Sequence, residues 1–321
     1  MTKIKSRQFL LSFLVTLVLL VSNIAPALNA RGDALPVIDS KTIVSKNQQE
    51  IERVVDFGLD YIASQMNDDG GVRWIDESSN VPATIRLVLA LRTAHYSPEH
   101  IFSPTGAKPI DFLKEQASSW VNQLGTDQPG FSIARAGQLL TAIAAADENP
   151  HNFGPESLNL VYDLKSRYDP NRGVFGNATF DNVLGQIWAI LGLSANYAAI
   201  PEEATSWLAA AQLDDGSWND GFGSFLDTTP LAVMALTASG HYESDSDVIQ
   251  DALEFILANQ QPNGGWQNPW DTTTNANTTG LILQSISALG QDPTHEPWQM
   301  GEKNPISVLL TLQKDDGAIG G

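Results

Sequence analysis

No cysteine occurs among the 321 residues. Disulfides and thiolate metal sites are thereby excluded, and packing alone must hold the chain together. Cations are scarce too, with 18 Lys and Arg against 37 Asp and Glu and a net charge of −19. Such a surface repels phosphate backbones and anionic lipid, which argues against nucleic-acid and peripheral-membrane partners. The few histidines (His95, His100, His151, His241, His295) never pair at helical metal-ligand spacing, so neither a metal nor a cofactor is expected. Sustained strand-like alternation is also missing, and the chain reads as all-α.

What is present is apolar: 42% hydrophobic residues and only 17% charged, the composition of a well-filled globular core. At the N-terminus Lys3, Lys5 and Arg7 precede the apolar run Phe9–Ile24, followed by small residues at Ala25, Ala27 and Ala30. Basic, apolar, then small is the order of a secretory signal peptide over residues 1–30, with cleavage near Ala27–Ala30. The run is slightly short for a membrane anchor, so no membrane association beyond the signal is expected. Cleavage removes three positive charges and no negative ones, moving the net charge from −19 to −22. The expected product is secreted or held at the cell surface. Residues 31–50 show no clear period and read as a linker; residues 51–321 form the repeat domain.

That domain is organised around Ala204–Trp218, a short amphipathic helix stopped by Asp214-Asp215-Gly216. The stretch returns at Ala252–Trp266 and again at Val308–Ile319, with Ile in place of Trp. Fainter copies are Tyr61–Trp74 and Leu164–Phe175. Recurrence at this spacing means a repeat architecture. From Ile51 the pattern settles into helix pairs, each with a first helix, a polar loop and a more apolar second helix. The second helices are Pro82–His95, Ala134–Asp147, Asp181–Ser194, Asp227–Gly240 and Asn277–Gly290. Aligned without gaps, these five carry one bulky stripe (Leu91, Ile143, Ile190, Leu236, Ile286, with Val88, Leu140, Ile187, Val233, Leu283). They also carry a small one: Ala90, Ala142, Ala189, Ala235, Ser285. Helices apolar on both sides are packed on both sides. That predicts an inner ring converging on an axis, with the small stripe inward and an outer ring around it.

The motif Gln212, Gly216, Trp218, repeated as Gln260, Gly264, Trp266 and as Gln313, Gly317, resembles the repeat of squalene and terpenoid cyclases. Its alternation with Asp-Thr-Thr helices is similar to protein prenyltransferases and transcobalamin-like carriers. The resemblance implies an α/α toroid of helical hairpins in which Gln212 and Gln260 tie helix ends and Trp218 and Trp266 stack near them. The sixth hairpin has a first helix and no second, so it is expected to be incomplete, either cut short or completed by another chain. Fold does not settle function.

The chemistries that this resemblance implies lack their residues. There is no Asp-x-Asp-Asp acid of class II cyclases, no Cys for a prenyltransferase zinc, and no Cys-Gly-Glu-Gln thioester run. Weak catalytic candidates remain in Asp181, Asp227 and Asp271, at or before inner-helix starts, where paired carboxylates could act on a glycan. N-capping explains Asp181 and Asp227 equally well. Arg86, Arg135 and Gln138 fall on the inward stripe early in the first two inner helices, and Asn182 and Thr228 continue it. With Gln186 and Trp188 they form the candidate ligand-binding set, in which two Arg could grip a carboxylate or phosphate. Ion pairing with Asp181 or Asp227 is the alternative for both Arg. The expected function is a binding module for an apolar small molecule or a glycan. Its rivals are a diverged cyclase or glycan-active enzyme, and a structural repeat domain that meets a cell-surface protein.

Overall fold

The structure, a computed structural model, describes residues 41–74, 77–123, 130–176, 183–221, 223, 225–268 and 273–319; of 41–50 and 52 only the backbone is described. Eleven α-helices occur among these residues. The odd-numbered ones are α1 (Lys41–Ser64), α3 (Pro109–Val121), α5 (Leu160–Lys165), α7 (Glu202–Ala210), α9 (Asp247–Ala258) and α11 (Pro305–Thr311). The even-numbered ones are α2 (Val81–Thr93), α4 (Ile133–Ala145), α6 (Val183–Ala195), α8 (Phe225–Ala238) and α10 (Ala276–Ala288). Two small antiparallel ribbons, Val72–Arg73 with Ser79–Asn80 and Tyr168–Asp169 with Val174–Phe175, link α1 to α2 and α5 to α6. Helix α1 starts at Lys41, inside the segment read as a linker. Residues 41–50 are largely polar but hold no Gly or Pro, so nothing in them breaks a helix.

The even helices pack in sequence order, α2 on α4, α4 on α6, α6 on α8 and α8 on α10, as an inner ring. Their bulky stripes are fully buried against the odd helices outside, from Leu91 through Ile143, Ile190 and Leu236 to Ile286. Three inner helices are capped by residues just outside them: Asn80 accepts from Ala83 N, Ser132 from Arg135 N and Asn275 from Thr278 N. Asn277 is therefore inside α10, and Asp227 lies in the first turn of α8 instead of capping it. A cap needs an extended backbone, which Asn275 has at φ −98°, ψ 124°.

The repeated motif joins neighbouring hairpins. Gln212 Nε2 donates to Gly216 O at 3.0 Å and to Val248 O, at the start of α9, at 2.8 Å. Gln260 Nε2 repeats this with Gly264 O and Trp298 O. Gln313 Nε2 repeats it with Val54 O of α1 at 2.9 Å, and also reaches Gly317 O. The tryptophans tie each outer helix to the next inner one. Trp218 Nε1 donates to Leu208 O of α7 while its backbone N–H donates to Thr229 Oγ1 of α8. Trp266 does the same between Ile256 O and Thr279 Oγ1. Both rings are fully buried, and Trp266 also meets Trp298 at a centroid distance of 6.3 Å.

The motif glycine has a steric reason. Gly216 has φ +85° and lies against the carbonyl of Asp251 in α9, where no Cβ fits. Gly317, at φ +84°, would set a Cβ 2.5 Å from Phe57 O of α1. Turn conformation and close approach together require glycine there.

Candidate functional site: the axial face of the inner ring

Each inner helix buries most of its circumference and leaves one stripe partly accessible. On α2 that stripe is Pro82, Arg86, Leu89 and Thr93, spaced four, three and four residues apart. The position of Leu89 is partly accessible in all five helices, as Leu89, Thr141, Trp188, Met234 and Gln284. With the opposite side sealed by the outer ring, this row is the axial wall. The small stripe predicted to face inward does not. Ala90, Ala142, Ala189, Ala235 and Ser285 have no accessible surface. They sit one residue round the helix, where neighbouring inner helices meet. The closest meeting is α4 on α6, where a Cβ on Gly192 would lie 2.6 Å from Gly137 O. Small residues here permit helix approach.

Residue by residue, the structure separates the predicted ligand set. Arg86 and Gln138 stand at one level of the axial wall on the neighbouring helices α2 and α4, and Trp188 lies one turn further on α6. Arg135 is turned away. Its guanidinium stacks 4.1 Å from the centroid of Trp120 in α3 and Nη1 donates to Trp120 O at 3.2 Å. Burial lowers its pKa from the ordinary value. Gln186 is fully buried and bonded twice to the backbone of Phe175, accepting from its N–H at 2.9 Å and donating to its O at 2.8 Å. It stitches α6 to the preceding loop as Thr229 and Thr279 do elsewhere. Thr228 is buried off the wall. Asp227 remains on the axial stripe and accepts from Thr278 Oγ1 of α10 at 2.6 Å. Asp181, Asn182 and Asp271 lie outside the described residues.

Arg86 differs from Arg73, Arg92 and Arg167, which have acids beside them. Arg92 pairs with Asp147 at 2.9 Å and Arg73 with Glu77 at 3.7 Å, both at the surface. Among the described residues Arg86 has no hydrogen-bond or ion-pair partner, so neither Asp227 nor any other acid there neutralises it. It is partly accessible, on the stripe that faces the axis. Enclosure lowers its pKa by desolvation alone.

A concavity of about 470 Å³ opens on the outer side between α9 and the loop after α10. Leu253, Leu257 and Trp298 form its apolar part, and Glu254, Asp292 and His295 its polar part. His295 Nδ1 lies 2.9 Å from Asp292 Oδ2, with both side chains well exposed, so this pair adds little to stability. Among the described residues no helix is long and apolar enough to cross a membrane.

No family model matches the chain. Among solved structures it resembles the type II terpene cyclase MstE from Scytonema, in a substitution variant bound to geranylgeranyl dihydroxybenzoate. The TM-score is 0.54 at 15% identity, covering 84% of this chain and 80% of that one. The fold is an α/α toroid. It also resembles ent-copalyl diphosphate synthase from Streptomyces platensis, with a TM-score of 0.50 and 15% identity over 87% of this chain and 50% of that one. In sequence it matches α-onocerin synthase LCD of Lycopodium clavatum, 34% identical over 119 residues. That match spans 37% of this chain and 14% of the synthase. At these identities the solved structures establish the fold, and the chain spans a small part of the curated relative.

Proposed function

We propose that this toroid is an exported, non-catalytic binding module that holds a small molecule with an apolar body in its axial space. The observation that carries the reading is the accessible axial row itself. Leu89, Trp188 and Met234, with Leu281 one turn away, offer an apolar wall, and Thr141, Gln138 and Gln284 interrupt it with a few polar groups. A mostly apolar wall with sparse polar groups is the usual make-up of a small-molecule site. The Scytonema cyclase, bound to geranylgeranyl dihydroxybenzoate, supports an isoprenoid-sized occupant for the fold. The missing acid and zinc residues support binding over turnover. Export rests on the order of residues 1–30, which lie outside the described residues.

A glycan is less well supported. It would call for carboxylates across the mouth, and the described one, Asp227, is engaged by Thr278. The test is native mass spectrometry of the exported protein, followed by titration of the emptied protein with geranylgeraniol while Trp fluorescence is read. The expected result is a co-purified apolar mass and saturable binding that Trp188→Ala weakens. A bare protein that binds neither geranylgeraniol nor any other isoprenoid would overturn the reading.

A further inference from the structure

We infer that the axial ligand ends in a single carboxylate, and that Arg86, with Gln138 beside it, is its seat. The inference rests on the axial-binding reading and adds the chemistry of the head group. Among the described residues Arg86 is the one cation on the accessible stripes of the five inner helices. It lies in the second turn of α2, one turn before Leu89 on the same stripe, and among the described residues nothing pairs with it. A charge enclosed without a partner is costly to folding, and a chain with 37 acidic residues had ample means to pair it. Arg92, Arg73 and Arg167 all have acids beside them. An Arg left open on the wall of a binding space is accounted for if its partner arrives with the ligand.

The guanidinium fork matches a carboxylate with two parallel N–H···O bonds. Gln138, at the same level on α4, has a side-chain amide with no hydrogen-bond partner among the described residues, and its N–H₂ can donate to the same oxygens. One cation balances one negative charge. A diphosphate brings several and would leave most of them facing leucine and methionine, so a carboxylate fits and a diphosphate does not. Asp227, further toward the mouth on the same set of stripes, repels a second anionic group.

The experiment is isothermal titration of the whole exported protein with three probes of equal chain length: geranylgeranoic acid, geranylgeraniol and geranylgeranyl diphosphate. The wild type is expected to prefer the acid over the alcohol by about ten- to a hundredfold, the worth of a charge-assisted hydrogen-bonded pair. The diphosphate is expected to bind more weakly than the acid. In Arg86→Met the acid should lose its advantage while the alcohol binds as before. Without ligand, this variant should melt at or above the wild-type temperature, because an unpaired enclosed charge is gone.

Equal binding of acid and alcohol by the wild type would overturn the carboxylate seat while leaving axial binding intact. Tighter binding of the diphosphate would overturn the head-group assignment. A clear fall in the melting temperature of ligand-free Arg86→Met would show that Arg86 is structural. Failure of all three probes would remove the axial-binding reading itself.

Discussion

Gln313 Nε2 donates to Val54 O at 2.9 Å, across 259 positions of sequence. The same side chain at Gln212 reaches Val248, and at Gln260 it reaches Trp298. Helix α1 thus receives from α11 what α9 receives from the α7 hairpin. The motif that follows α11 is bound to α1. Apolar residues of α1, α2, α10 and α11 share one buried cluster that includes Val54, Leu87, Leu283 and Leu309. The ring closes through these contacts.

Replacing the bonding glutamines should therefore destabilise in proportion to burial. Gln260→Ala leaves two buried carbonyls without a donor and should cost about 1–3 kcal/mol. Gln313→Ala, less buried, should cost about 1 kcal/mol and speed amide exchange in α1 more than in α4. Urea denaturation and hydrogen exchange read both. Unchanged α1 exchange in the Gln313 variant would mean that this bond does not hold the closure.

Trp218→Ala and Trp266→Ala should each destabilise by about 3–5 kcal/mol, the range for emptying a buried aromatic site. Each ring also loses its Nε1 bond to the outer helix, to Leu208 O or Ile256 O. Thermal melting followed by near-UV circular dichroism tests this. A loss under about 1 kcal/mol in both would take away their structural role.

The two neighbouring stripes of the inner helices should respond oppositely to added bulk. Ala189→Leu and Ala235→Leu insert methylenes between packed helices and should cost about 1–3 kcal/mol each. Thr141→Leu, one position round on the axial wall, should change stability by less than about 0.5 kcal/mol and alter ligand binding instead. Equal costs at all three sites would mean that the axial wall is as tightly packed as the helix contacts.

Acid should weaken the outer concavity. Burial pushes the Asp292 carboxyl up, but the Thr294 hydroxyl and amide, with His295, outweigh it and hold the pKa below the ordinary 3.8. A depressed carboxylate contributes stability that is complete above the unfolded value and is lost as pH falls through the folded one. The acid limb of the melting temperature below pH 3.8 should therefore be shallower in Asp292→Asn. An identical limb would mean that the Thr294 bonds do not survive in solution.

Much of this architecture could be read from the residues. All five inner helices fall within two positions of their predicted spans, because 3.6-residue periodicity and Gly or Asn punctuation both mark them. The facing of the stripes could not be read. A helix apolar all round gives no sign of which side meets a neighbour and which meets a cavity, so residue size points the Ala189 row at the axis, and from the Trp188 row only Trp188 itself stands among the ligand candidates. Arg135 shows a second limit: its partner Trp120 comes from α3, 15 positions earlier, and only tertiary packing brings the ring under the guanidinium. Gln186 shows a third. Its spacing matches a wall position as well as a backbone stitch, and Phe175 decides between them.

The glycine contacts bear on how such a wall can change. Gly216 against Asp251 and Gly317 against Phe57 fix the gap between adjacent outer helices by main chain meeting main chain. No side chain in that contact can lengthen or shorten, so the circumference is gauged by the backbone and is indifferent to what lines the hole. Substitutions at Leu89, Thr141 or Met234 can then reshape the interior at constant diameter. A scaffold built this way can drift from one guest to another without first having to refit its own frame.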